Sequence, residues 1–160
     1  MTVGRLTGMA RRERPRQPMQ EIAEGLVSVA AGLDGDCKGA RYPRRQITIL
    51  EKEAWQAALA EISAPPVPWT VRRANLLVEG VVLPRARGGL IRIGAVDLEV
   101  TAQTYPCARM EQACNGLLTA LARNWRGGVT CRVVTGGRLR LGDPVEVLVR
   151  PPEVWPRLPG

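Results

Sequence analysis

A chain of 160 residues, 45% of them hydrophobic and with a formal net charge of +8, has the size of one domain with a single buried core, and no run of about 18 apolar residues that would span a bilayer. It contains no histidine, which removes serine–histidine and cysteine–histidine nucleophile pairs, imidazole bases and histidine-rich metal sites. Serine occurs only at Ser28 and Ser63 and lysine only at Lys38 and Lys52, so no G-x-S-x-G nucleophile exists and little is left for a Schiff base to pyridoxal phosphate.

In chain order, Gly4 to Ala10 reads as a short strand that runs into the charged, proline-broken loop RRERPRQP (Arg11 to Pro18). The N-terminus carries arginines but no apolar stretch behind them, which argues against a secretory signal. Glu13, Glu21 and Glu24 argue against a mitochondrial transit peptide, and the expected location is the cytoplasm. Gly25 to Val29 is strand-like, Gly32 to Gly39 is a glycine-rich loop, and Gln46 to Leu50 is a strand bounded by polar residues. From Glu51 the period changes: Trp55, Ala58, Leu59 and Ile62 fall on one helical face. APPVP (Ala64 to Pro68) ends that helix, and RRANLLVEGVVL is partly extended.

LIRIG and VDLEVT, joined by Gly94-Ala95, predict a hairpin in which Val96, Leu98 and Val100 alternate with Asp97, Glu99 and Thr101. After TYPC come two short helical pieces, Met110 to Cys114 and a second capped by Asn115, with Leu117, Leu118 and Leu121 inward. WRGGV is a turn. CRVV, TGG and RLRLGDPVEVLV form a last strand–turn–strand stretch with Val145, Val147 and Val149 alternating, and the tail 149–160 is irregular. Many short strands and two or three short helices imply a mainly β, β-rich α+β domain over 1–160, with its core at about 2–148. A barrel is expected, because closure removes the exposed sheet edges.

The charge is carried almost wholly by arginine, the residue for fork-shaped recognition of phosphate and carboxylate, although a GC-rich genome would enrich it too. Nucleic acid is a poor partner, since the chain has no phenylalanine and only four tryptophans and two tyrosines for base stacking. Cysteines at 37, 107, 114 and 131 match no zinc or iron–sulfur spacing. A disulfide framework is not expected without a secretion signal, so the question falls on individual thiols. Cys114 and Cys131 sit among apolar residues and read as core; Cys131 would act as a resolving thiol only if it faced Cys107. Cys37, in a polar loop, stays open.

GLDGDCKG, RRQITIL, RRANLLVEG, LIRIG, PCARME, WRGGVTCRV and RLRLGDPVEV occur in one order over roughly Thr2 to Leu148. Together they resemble the MOSC domain, named for the C-terminal part of molybdenum cofactor sulfurases. The resemblance implies a β-barrel with a few helices. It places Cys107 where the family carries sulfur or molybdenum, with Arg109 as the arginine of the P-C-x-R motif. It implies the molybdenum cofactor, a pterin with a phosphate tail, as bound group, and reduction of N-hydroxylated small molecules as activity. The other implied role is carriage of a persulfide supplied by a cysteine desulfurase or another sulfur donor; a reductase would instead need an electron-donor protein. No pyridoxal phosphate site of its own is expected in these 160 residues. Lys38 departs from the pattern, standing where many relatives have histidine, so that residue's role cannot be carried over.

Only the thiolate binds a soft metal or attacks sulfur. Cys107 follows Pro106 at the start of a predicted helical turn, where free N–H groups and nearby cations, Arg109 and the pair Arg72 and Arg73, would favour the anion. Arg126 with Gly127 and Gly128 offers a fork and close backbone approach to an anion, and the Asn75 amide could donate to a pterin edge. Asp34 and Asp36 would orient arginines or simply form turns.

Overall fold

The computed structural model describes residues 3–153. Its strands are β1 (Gly4–Arg11), β2 (Gln20–Glu21), β3 (Glu24–Ser28), β4 (Gly32–Leu33), β5 (Ile47–Glu51), β6 (Leu76–Glu79), β7 (Leu90–Ile93), β8 (Val96–Gln103), β9 (Val129–Thr135), β10 (Gly137–Arg140) and β11 (Pro144–Val149). The helices are α1 (Lys52–Glu61), α2 (Ala108–Ala113) and α3 (Leu117–Ala122), with 3-10 turns at Trp69–Arg72 and Arg123–Trp125.

Seven strands close into a barrel in the order β11-β7-β8-β9-β5-β6-β1, and β1 returns to β11. The short β2 extends β1, and β10-β3-β4 forms a separate three-stranded sheet. The predicted hairpin is β7–β8, with Ile93 opposite Val96 across Gly94-Ala95. Val96, Leu98 and Val100 are fully buried, whereas Asp97, Glu99 and Thr101 are half-buried on the other face, as a period of two requires. The barrel is antiparallel except where β5 pairs parallel with β6. A parallel neighbour needs a long crossover, and α1 with the 3-10 turn at Trp69–Arg72 supplies it.

Two apolar clusters follow from this. Leu6, Ile47, Ile49, Leu76, Ile91, Leu98 and Val133 fill the barrel. Trp55, Leu59, Met110, Leu117 and Leu121 pack the three helices against the outer faces of Leu50 and Leu77. Trp55 also donates its indole N–H to the Val67 carbonyl at 2.9 Å, which ties the proline segment back onto α1. None of the helices among the described residues is long and apolar enough to cross a membrane.

Four local expectations are corrected. Gly116, at φ 90, and not Asn115, holds the N-cap position of α3; the left-handed backbone there suits glycine. The capping oxygens come from Glu111, whose carboxylate accepts from the Gly116 N–H at 2.8 Å and the Leu118 N–H at 3.3 Å. The glycine-rich loop contains β4, which pairs with β3. The last stretch is three strands, because TGG lets the chain leave the barrel and pair β10 with β3 before β11 rejoins it. Val145 is buried but Val149 is exposed, since the register shifts between Val147 and Val149 and breaks the alternation. Residues 150–153 have no regular structure, and 154–160 lie outside the described residues.

The barrel seam is narrow: Gly4 faces Val145 and Arg5 faces Pro144. A Cβ on Gly4 would lie 2.6 Å from the Glu79 carbonyl oxygen and 2.7 Å from Val81 Cγ1. Gly4→Ala is therefore expected to cost about 1–3 kcal/mol through overpacking, read as a lower urea midpoint with an unchanged slope; a midpoint equal to that of the parent would show that the seam relaxes freely.

Candidate functional site

Cys107 is presented at the point where the barrel hands over to the helices. After β8 ends at Gln103, the Thr104 N–H donates to the Gly128 carbonyl at 2.9 Å, and the buried Pro106 anchors the following turn. Cys107 then takes the N-cap position of α2 with extended backbone (φ -109, ψ 174), and its carbonyl accepts the Met110 N–H at 2.9 Å. Met110 is drawn into the helical core, while the Cys107 thiol is left exposed. A proline followed by a short helix anchored by one buried methionine thus displays this thiol.

Arg72 fixes the floor beneath it. The 3-10 turn ends at Arg73 in the left-handed region (φ 65), and this reversal directs Arg72 inward. Its buried guanidinium donates from Nε to the Gly127 carbonyl at 3.1 Å and from Nη2 to the Thr104 carbonyl at 2.9 Å. Burial pushes the Arg72 pKa down to about 10, opposed by Cys107, which lies within its electrostatic reach. Gly127 is required by this packing, since a Cβ there would sit 2.7 Å from the Thr104 oxygen and 3.2 Å from Arg72 Nη2. Gly128 (φ +96) presses against the Ile49 carbonyl, where a Cβ has no room.

The opposite wall is the loop between β4 and β5. Together the two walls enclose a cavity of about 410 Å³. Its charged lining is Arg12, Arg41, Arg45, Arg72, Arg73 and Arg109 with Lys38, and no carboxylate among the described residues lines it. Lys38 Nζ donates to Thr48 Oγ1 at 3.2 Å. Burial lowers the Lys38 pKa to about 8; Arg12 and Arg45 push the same way, while Asp36 and Cys37 oppose them. Two polar atoms of lining residues, Arg12 Nη1 and Thr104 Oγ1, are buried without a hydrogen-bond partner among the described residues.

Of the residues singled out from sequence, Cys107, Arg72, Arg73, Arg109 and Gly127 line this one cavity. Asn75, Arg126 and Gly128 do not line it. Asn75 is fully buried: its Oδ1 accepts the Thr48 N–H at 3.0 Å and its Nδ2 donates to the Ala10 carbonyl at 3.2 Å. Its amide joins β1, β5 and the start of β6, and its full burial keeps it away from a ligand in the cavity. Arg126 reaches away to Glu61 Oε1 at 2.9 Å and the Ala120 carbonyl at 3.3 Å, and that hydrogen bond holds the Glu61 carboxyl below its usual range. Cys131 lies in the barrel core, where burial raises its thiol; it does not face the cavity and is no resolving thiol. Cys114 is half-buried against the helical core. Asp36 accepts the Arg12 backbone N–H at 3.2 Å, and the Asp34 carbonyl accepts from Arg11 Nη1 at 2.6 Å.

Sequence reasoning missed Arg12, Lys38, Arg41 and Arg45 and left Cys37 open, yet Cys37 also lines the cavity. The signal was the basic density of DCKGARYPRR and, for Arg12, of RRERPRQP, which read as ordinary solvated loops until the fold brings them to the Cys107 cavity.

The structure is thus a closed barrel with a cysteine at the start of a short helix, opening onto an arginine-lined cavity. The MOSC domain model matches residues 34–146, and the chain belongs to the MOSC domain family, which is associated with the molybdenum cofactor. The structure is similar to that of the YuaD protein from Bacillus subtilis, with a TM-score of 0.75 at 21% identity over 92% of this chain and 96% of that one. It is also similar to YiiM from Escherichia coli, with a TM-score of 0.68 at 17% identity over 94% and 73%. YiiM from Geobacillus stearothermophilus gives 0.70 at 14% identity over 92% and 76%. At these identities the likeness establishes the fold alone. No curated protein matches the chain.

Two outcomes follow from this geometry. Because the fold holds Lys38 near 8 and an ordinary lysine titrates at 10.5, the unfolded chain binds more protons between those values, so stability rises with pH across that window. Thermal melts are expected to show the parent gaining on Lys38→Met from pH 8 to 10.5; a constant difference would mean that Lys38 is solvated like a surface lysine. Arg126→Ala is expected to leave iodoacetamide labelling of Cys107 unchanged and to lower the melting midpoint only slightly, as the loss of an exposed pair does.

Proposed function

We propose that this MOSC barrel holds the molybdenum cofactor in the 410 Å³ cavity, with Cys107 as the soft ligand of its metal and the arginines gripping its anionic tail. The observation that carries the reading is an exposed thiol opening onto a cavity whose charged lining is wholly cationic. The buried Nη1 of Arg12, a lining residue, has no acceptor among the described residues. An unpaired buried donor costs about 1–3 kcal/mol, so a ligand bringing an acceptor is favoured there.

The donor set fits the group. Among the described residues no cluster of three His, Cys, Asp or Glu could hold a bare metal ion, whereas a metal delivered by a pterin needs only one soft side chain, and thiolate is the soft choice. Arg73 and Arg109, both at the cavity wall, suit the phosphate by bidentate contact. Arg72 serves differently: its Nε and Nη2 donate to the Gly127 and Thr104 carbonyls, so it positions the Cys107 turn and contributes charge to the cavity it lines. When bound, the cofactor would supply a two-electron redox centre for small N-hydroxylated substrates, with electrons from a donor protein in the cytoplasm.

The exposure of Cys107 favours a second reading, a sulfur carrier. A thiol at the surface can meet the persulfide of a donor such as a cysteine desulfurase, and exchange at sulfur needs access as well as thiolate character.

The test is molybdenum and pterin content of the protein purified from a host that makes the cofactor, beside Cys107→Ser. Molybdenum and pterin near one per chain, with the metal lost in Cys107→Ser, is the expected result. Absence of metal from both proteins would end the cofactor reading and leave the carrier, to be sought by mass spectrometry as a persulfide on Cys107.

A further inference from the structure

The cavity contains a second reactive group that ligand binding does not use. Six arginines and Lys38 line it, and no carboxylate or imidazole among the described residues does. Guanidinium holds its proton far above neutral pH, so arginines can bind and stabilise anions but are poor proton donors and acceptors there. Lys38 differs in placement and in chemistry. It extends from the β4–β5 loop across to β5, where its amine rests on Thr48 Oγ1 at 3.2 Å. That hydroxyl already donates to Asn75 Oδ1 (3.3 Å) and accepts the Asn75 N–H (3.1 Å), so the anchor is fixed by a buried network while the amine faces the cavity.

We propose that Lys38 is the proton-exchanging group of the Cys107 cavity, passing protons to and from a thiol or oxyanion brought against Cys107. This rests on the reading of Cys107 as the reactive thiol, common to both versions above. The groups facing Lys38 support the assignment: Arg12 from the segment after β1 and Arg45 from the loop before β5 favour the neutral amine, and Asp36 and Cys37 on its own loop favour the ammonium. Arg72 and Cys107 stand on the opposite wall of the same cavity. With its pKa near 8, the amine is present in both forms close to neutral pH, which general acid–base work needs.

The step balances without an outside oxidant. With Cys107 carrying a persulfide, an acceptor thiol gives its proton to the Lys38 amine and attacks the outer sulfur as thiolate. A sulfur–sulfur bond forms to the acceptor and the bond to Cys107 Sγ breaks. The electron pair leaves on Sγ, which takes the proton back from the Lys38 ammonium. One sulfur atom moves to the acceptor, and Cys107 ends as a free thiol.

The experiment needs no bound cofactor. Cys107 is loaded with a low-molecular-weight persulfide, and its hand-off to 2-mercaptoethanol is followed by mass spectrometry in the parent, Lys38→Ala and Lys38→Arg, each checked for folding by circular dichroism. Both variants are expected to slow hand-off at least tenfold at pH 7.5. Methylamine and weaker primary amines should restore Lys38→Ala in order of their basicity, a rescue that a purely structural role would not allow. In parallel, acetic anhydride labelling of Lys38 across pH 6–10 should half-titrate near 8, below a free lysine peptide in the same tube. A Lys38→Arg protein as fast as the parent, no rescue by amines, or labelling that tracks the free peptide would each overturn the assignment. Those outcomes leave Cys107 as the reactive thiol, whereas failure of Cys107 to accept sulfur at all overturns the carrier reading and the hand-off role with it.

Discussion

Everything in this molecule depends on closing the barrel between its first and last strands. The β1–β11 contact pairs Gly4 with Val145 and Arg5 with Pro144, and it is reinforced by the Leu6 N–H to Asp143 carbonyl bond at 2.9 Å and the Gly142 N–H to Leu6 carbonyl bond at 2.7 Å. Because residues this far apart in the chain must meet, the seam forms only when the intervening strands are in register. Closure buries Leu6, Ile93 and Val145 together in the barrel and leaves no barrel edge open to another chain. Small residues are needed at the seam because the backbone of β6 passes so close to Gly4.

The parallel pairing of β5 with β6 is the second constraint, and it builds the site. A crossover had to leave the barrel there, and its returning segment, the turn at Trp69–Arg72, delivers a buried arginine below the end of β8. Arg72 then holds two loop carbonyls, one on the Cys107 side and one on the glycine turn. Asn75, three residues on, performs the same service for the barrel by joining Ala10 and Thr48. Burying these polar side chains is tolerated because each is hydrogen-bonded to the backbone. Thr48 links the two networks, since its hydroxyl serves Asn75 and Lys38 alike.

Crowding seven cations around one cavity has a cost that falls unevenly. Arginine tolerates it, staying charged when desolvated because its proton is so tightly held. Lysine is less tolerant: burial above all, with Arg12 and Arg45 adding to it, lowers the Lys38 pKa to about 8. The cavity thereby brings three kinds of group together: guanidiniums with fixed positive charge, an exposed thiol, and one amine whose proton is held less tightly than in an ordinary lysine.

The sequence by itself determined much of the fold, because local periodicity carries it. The alternation of Val96, Leu98 and Val100, the helical spacing of Trp55, Ala58 and Leu59, and the P-C-x-R motif that singles out Cys107 are all properties of short stretches. They are legible because side-chain direction repeats every two residues in a strand and every 3.6 in a helix. The tertiary structure alone decided which residues share the cavity. Asn75 and Arg126 look as apt for a ligand as Arg72 does, yet their partners Ala10 and Glu61 lie 65 residues away in the chain, and no local pattern records that distance. Lys38 and the arginines of its loop look like a solvated basic turn until barrel closure sets them opposite Cys107. Proximity across the chain is fixed by packing, and packing is what a linear pattern does not contain.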